Sequence, residues 1–120
     1  MPDRPDIVSF PITLQHEHRV IFTREVFAPG NETLANLLTP REPGGVARAI
    51  VFWDAGLAAA FPDFADKLKR WFAARADRVR LEGEPVAVPG GEAVKNDFHQ
   101  LERVWSTINE AKLCRHSFVL

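Results

Sequence analysis

The chain has a single cysteine, Cys114, so no internal disulfide can form. That usage fits a reducing compartment. No stretch approaches the ~20 apolar residues that a membrane span needs. The N-terminus, Met1-Pro2-Asp3-Arg4-Pro5-Asp6, lacks the apolar core of a signal peptide. Neither sign of charge dominates: 15 basic residues meet 16 acidic ones, for a net charge of -1. Bulk attraction to nucleic acid or anionic lipid is therefore excluded. Internal repeats, low-complexity segments, a Walker loop, a zinc knuckle and a nucleophile-base pair are all missing. The expectation is a soluble, cytoplasmic chain with no nucleic-acid and no membrane partner.

What is present suits one globular domain. The 120 residues are 46% hydrophobic, and a chain of this length buries roughly two thirds of its unfolded surface. After a polar arm over residues 1–6, Ile7 to Thr13 and Arg19 to Thr23 read as two strands around the turn Gln15-His16-Glu17-His18, a hairpin. Pro29-Gly30 breaks the chain, and Asn31 is placed to cap a short helix carrying Leu34, Leu37 and Leu38. Thr39-Pro40 ends that helix, and 41–45 reads as a loop. Ala47 to Trp53 is the best strand: Ala49-Ile50-Val51-Phe52 is a continuous apolar run, as burial on both faces requires. It ends at Asp54-Ala55-Gly56.

Phe61, Phe64, Leu68, Trp71 and Phe72 then recur at helical spacing, predicting a helix from about Pro62 to Ala76. Val86-Ala87-Val88 reads as a strand stopped by Pro89-Gly90-Gly91. A second helix carries Phe98, Leu101, Trp105 and Ile108, with Asn96 as its N-cap. Trp71 and Trp105 fall on the apolar faces and are expected in the core. Cys114 is expected to be half-buried. Strand, helix, strand, helix, strand is the pattern of an open, mostly parallel α/β sheet, Rossmann-like and preceded by the hairpin.

Ligands of such sheets bind outside the carboxyl ends of the strands. Asp54 stands there, where a carboxylate can accept from both hydroxyls of a ribose or simply cap the next helix. Pro89-Gly90-Gly91-Glu92-Ala93-Val94-Lys95 stands there too. Its glycines let backbone approach a ligand, Glu92 suits ribose hydroxyls, and Lys95 suits a phosphate; the plainer reading is a strand-to-helix turn with surface charges. His16 and His18 share one face if extended, but no third zinc ligand is evident. Cys114 beside Arg115 is placed for a lowered thiol pKa.

Taken in order, the strand ending at Asp54, the Pro89–Lys95 turn and the helix leading to Arg115-His116-Ser117-Phe118-Val119-Leu120 resemble the N-terminal, NAD-binding half of the 3-dehydroquinate synthase family of sugar phosphate cyclases. Family members carry Pro-x-Gly-Glu-x-x-Lys at the turn. The match spans about residues 19–120, with 1–18 as an N-terminal arm and first strand. Asn96 departs from the serine that often follows the motif lysine. Trp53 and Ala55 replace small polar residues around Asp54.

The resemblance implies that Asp54 faces the adenosine ribose of NAD and that Glu92 and Lys95 contact the same cofactor. It implies a divalent metal, zinc or cobalt, held by a C-terminal helical domain outside this sequence. It also implies a sugar phosphate substrate, elimination of phosphate, carbocycle closure and a homodimer when full-length. Arg115 to Leu120 reads as a turn entering a strand with nothing to cap it. The chain is thus expected to be a truncated front part, inactive by itself. Two other readings stay open: a non-catalytic NAD- or nucleotide-binding module, and a relative of the metal-dependent alcohol dehydrogenases.

Overall fold

The computed structural model describes residues 6–39 and 44–120. Most of the arm read over 1–6 and of the loop read over 41–45 lies outside them. The elements run α1 (Thr33–Leu38), β1 (Ala47–Ile50), β2 (Phe52–Asp54), α2 (Ala55–Ala60), α3 (Phe64–Ala73), β3 (Val79–Leu81), β4 (Val86–Val88), a 3₁₀ turn (Glu92–Asn96), α4 (Phe98–Glu110) and β5 (Phe118–Val119). The molecule is mixed α/β with parallel strands, as the alternation of strand and helix predicts.

β1 and β2 are interrupted only at Val51 and act as one central strand. β1 pairs in parallel with β3, Ala47 opposite Val79, and with β5, Ala49 opposite Phe118. β2 pairs in parallel with β4, Phe52 opposite Val86 and Asp54 opposite Val88. Backbone bonds carry the ladder across the interruption. Glu82 N–H donates to Ala49 O and Val86 N–H to Val51 O on one side; Leu120 N–H donates to Ile50 O and Phe52 N–H to Leu120 O on the other. The apolar run is therefore apolar because both its edges and both its faces are covered.

Side chains alternate across this strand. Ala47, Ala49 and Val51 pack with Ala35 and Leu38 of α1 and with Leu68, Trp71 and Phe72 of α3. Trp53 continues that face, stacked on Phe64 with ring centroids 5.3 Å apart. Arg48 points the other way. Its Nε donates to Glu82 at 2.8 Å, and its guanidinium takes the carbonyls of Ala111 and Lys112 at the end of α4. α1 and α3 thus cover one face, and α4 terminates over the other. Lys112 adopts a left-handed conformation (φ 50°) just past α4, and Arg48 satisfies carbonyls that such a helix end leaves open.

A second arginine holds α1 to α3. Arg75 is only 6% exposed. Its guanidinium donates to the carbonyls of Pro29, Asn31 and Trp71 and to the Glu32 carboxylate, and lies 4.4 Å from the Trp71 ring centroid. A buried guanidinium is tolerable only when its donors are matched in this way. Arg78 binds the other Glu32 oxygen at 2.9 Å.

Four expectations are corrected. The hairpin over Ile7–Thr13 and Arg19–Thr23 does not form: residues 6–22 lie outside any strand, and their apolar side chains are exposed. Pro11 has no N–H to give, and the turn lacks the Gly or Asn of a tight hairpin. Two strands alone are also marginal in water. The helix read from Pro62 to Ala76 is shorter, Phe64–Ala73, and α2 precedes it unforeseen. Trp105 is 54% exposed: its ring meets that of Phe98 edge-on, with centroids 6.0 Å apart, and Phe98 is itself 59% exposed. Cys114 is exposed rather than half-buried.

Leu68 is essentially fully buried. Leu68→Ala should lower unfolding free energy by about 2–5 kcal/mol in urea titration, the range for a leucine-sized cavity. The Glu32 carboxyl is held below the ordinary glutamate range, chiefly by its hydrogen bond to Arg75, against some desolvation, with Arg78 adding to the effect. Its stabilisation is present above the unfolded-chain value of about 4.3 and disappears as pH falls through the depressed one. Glu32→Gln should therefore flatten the acid-side loss of Tm; a profile as steep as the parent's would contradict this pairing.

Candidate functional site at the carboxyl ends of the strands

Parallel pairing of Asp54 with Val88 sets the ends of β2 and β4 side by side. Asp54 and the Pro89-Gly90-Gly91 turn are therefore neighbours in space, although 35 positions separate Asp54 from Pro89 in the sequence. One carboxylate oxygen of Asp54, Oδ1, accepts from Gly56 N–H at 2.6 Å and from Leu57 N–H at 3.3 Å. This is the N-cap of α2, the plainer role for an aspartate at a strand end. The other oxygen, Oδ2, is turned to Gly90. A Cβ on Gly90 would lie 2.9 Å from Asp54 Cγ and closer still to Oδ2. Glycine is thus favoured at position 90, where a Cβ would force the Asp54 carboxylate aside. It is required at position 91 by backbone conformation (φ 90°).

Glu92 and Lys95 follow on the 3₁₀ turn. They pair with each other, Lys95 Nζ to Glu92 Oε1 at 2.7 Å, with side chains 88% and 67% exposed. An exposed pair three residues apart is weak, so both groups can be redirected to a ligand at little cost. The structure brings Asp54 to the glycine turn; Glu92 and Lys95 follow that turn, engaged with one another. α4 is capped by Asp97, whose carboxylate accepts from His99 N–H at 3.0 Å, and not by Asn96. The one-residue shift follows from the 3₁₀ turn, which uses Asn96 as its last member.

A groove of ≈ 400 Å³ runs between the end of β4 and α4, lined mainly by Val88, Pro89, Val94, Phe98, Leu101 and Val104. A second hollow, of ≈ 600 Å³, lies elsewhere, around Arg24, Glu25, Asn31 and Glu32, and touches none of the strand ends. It is a surface hollow at the root of the N-terminal arm, and the chemistry points to the strand ends instead.

Among the described residues no group of three His, Cys, Asp or Glu is placed to hold a metal ion. His16 and His18 lie on the exposed arm. The Cys114 thiol is held below its ordinary pKa by the His116 backbone N–H first and by the Ser117 hydroxyl, with Arg48 contributing charge. No helix among the described residues is long and apolar enough to cross a membrane.

Sequence reasoning missed the seating of Asp54 against Gly90. The signal was there in part: a glycine pair following a strand admits a close approach, but not from which neighbour. It also missed Arg48, a lone charge beside an apolar run, which marks a partner waiting on that face. In comparison with known proteins, no family model, no curated protein and no solved structure matches this chain.

The Asp54–Gly90 contact is testable by a double-mutant cycle. Asp54→Ala should cost about 1 kcal/mol through the lost cap. Gly90→Ala should destabilise the parent protein but be milder in the Asp54→Ala background, with a coupling of at least ~0.5 kcal/mol. Strictly additive effects in denaturant melts would show that the carboxylate does not occupy the space above Gly90.

Proposed function

We propose that this chain is the NAD-binding, N-terminal part of a sugar phosphate cyclase similar to the 3-dehydroquinate synthases. The observation that supports the reading best is the meeting of Asp54 with the Pro89-Gly90-Gly91 turn at the carboxyl ends of two adjacent parallel strands. Open α/β sheets bind nucleotides at such ends.

The residues fit the cofactor. Oδ1 of Asp54 is spent on the α2 cap, whereas Oδ2 has no bond to any donor among the described residues. In this reading Oδ2 accepts from the adenosine ribose hydroxyls. Glu92 accepts from the same nucleoside. Lys95 leaves Glu92 and donates to a phosphate oxygen, a charge-assisted bond. When bound, NAD supplies a transient oxidation that acidifies the C–H next to the oxidised carbon, and so permits phosphate elimination. The divalent metal, zinc or cobalt, belongs in this reading to a helical domain beyond this chain, along with most contacts to the sugar phosphate. A nucleotide-binding module without turnover would use the same three side chains; it differs in lacking that second domain.

Calorimetric titration of NAD into the protein tests the site. NAD should bind, and Lys95→Ala should weaken binding by roughly 1.5–3 kcal/mol, as for a lost hydrogen bond to a charged group. Equal affinity in parent and variant would remove Lys95 from the site, and no heat with NAD would remove the reading.

A further inference from the structure

Another hollow, of ≈ 400 Å³, opens where α2 turns into α3. The corner is tight. Phe61 N–H donates to Leu57 O at 2.9 Å and Phe64 N–H donates to Phe61 O at 3.0 Å, with Pro62 between them. Phe61 is left 58% exposed. Phe61, Pro62 and Phe64 make the apolar wall of the hollow; Asp63, Lys67 and Arg70 make the polar one. Phe64 is fixed by its stack on Trp53, at 5.3 Å, and by the edge of Phe27, at 5.5 Å. Asp63, Lys67 and Arg70 follow one another at spacings of four and three. They therefore form one charged stripe along the start of α3, beside the apolar stripe of Phe64, Leu68 and Trp71 that enters the core.

None of these three charges is spent within the molecule. Asp63 precedes the first turn of α3, yet its carboxylate accepts from no N–H of that helix. Among the described residues, Asp63, Lys67 and Arg70 form no ion pair, and the two cations donate no side-chain hydrogen bond. Lys69 shows the contrast on the neighbouring strip of the helix. It takes Asp66 at 3.6 Å and Glu84 at 3.0 Å, so those two carboxylates are already claimed. Asp63 and Lys67 stand at the four-residue spacing that favours pairing on a helix, but they remain apart. Lys67 is half-buried, so part of its side chain is already covered before any ligand arrives. The hollow thus joins a fixed apolar wall to two uncommitted cations and one uncommitted carboxylate.

We propose that this hollow binds a small ring carboxylate: a flat apolar ring that carries one carboxylate and one hydroxyl group. The ring lies against Phe61 and Pro62. Arg70 donates to the carboxylate with its planar fork, and Lys67 adds a second cation, a charge-assisted set of bonds. Asp63 accepts from the hydroxyl. Charge selects the class. Two cations and one carboxylate leave one positive charge in the hollow, which a monoanion neutralises; a phosphate dianion would bring its second charge up against Asp63. Size agrees, because small-molecule clefts start at about 300 Å³. The hollow shares no lining residue with the groove beside α4 and includes none of Asp54, Glu92 and Lys95, so the proposal stands whether or not the nucleotide reading holds.

The probes are para- and meta-hydroxybenzoate, titrated into isotope-labelled protein and followed by amide chemical shifts. At least one isomer should move the amides from Phe61 to Arg70 and leave those from Gly90 to Lys95 in place. The matching hydroxybenzamide, which has the ring but no charge, should bind about tenfold more weakly. Lys67→Gln and Arg70→Gln should each weaken the carboxylate by about tenfold as well. Both variants should keep the parent's Tm, since neither side chain is bonded to the fold. Asp63→Asn should strengthen the binding of inorganic phosphate, which the parent takes more weakly than the carboxylate. Three results would overturn the proposal: no shift at Phe61 to Arg70 with either isomer, equal binding of the amide and the carboxylate, or phosphate bound by the parent as tightly as the carboxylate, the mark of a plain anion patch.

Discussion

Everything described here depends on the central strand from Ala47 to Asp54 being paired on both sides. Its carbonyls at Ala49 and Val51 take one neighbour, and the Ile50 carbonyl and Phe52 N–H take the other. A parallel strand in the middle of a sheet cannot stand alone, because its partners arrive only through crossovers. Remove the strand and β3, β4 and β5 lose their common partner. The same pairing sets the candidate site: because β2 and β4 run in parallel and in register, their carboxyl ends coincide, and Asp54 comes to rest on Gly90.

Two arginines then fix the layers to the strand. Arg48 ties the central strand to Glu82 and to the last carbonyls of α4. Arg75 ties the segment around Glu32 to α3. Both guanidiniums satisfy carbonyls as well as a carboxylate, which is what a planar, multi-donor cation does better than an ammonium. The consequence is uneven reinforcement. The face under α1 and α3 is closed by aromatic packing and by Arg75. The face under α4 is held mainly at its C-terminal end and leaves a groove near its start.

The candidate site was legible in parts. The Asp54 strand end and the Pro89–Lys95 turn both stand out in the sequence, since an apolar run stopped by a carboxylate and a glycine pair after a strand are local patterns. That Asp54 divides its carboxylate between the α2 cap and Gly90 was not legible, because it depends on the register of strands far apart in sequence. The helix Ala55–Ala60 escaped notice for a different reason. Its six residues carry no apolar periodicity, and it exists because Asp54 caps it. The hairpin was over-read: Ile7–Thr13 has strand composition, but composition does not supply a partner.

The sequence by itself determined the alternation of strand and helix after Ala47, the buried run at its centre, the glycine turn that follows Val88, and the exclusion of an internal disulfide. These follow from periodicity, capping and residue chemistry, which act over a few residues. The tertiary structure alone decided which strands are neighbours, which face each helix covers, and what faces Gly90. It also decided that Trp71 is buried while Trp105, on a helix of similar pattern, is exposed. An amphipathic stripe states only that a helix seeks a cover. Whether one is present is a property of the surfaces around it, and those are set by contacts between residues far apart along the chain.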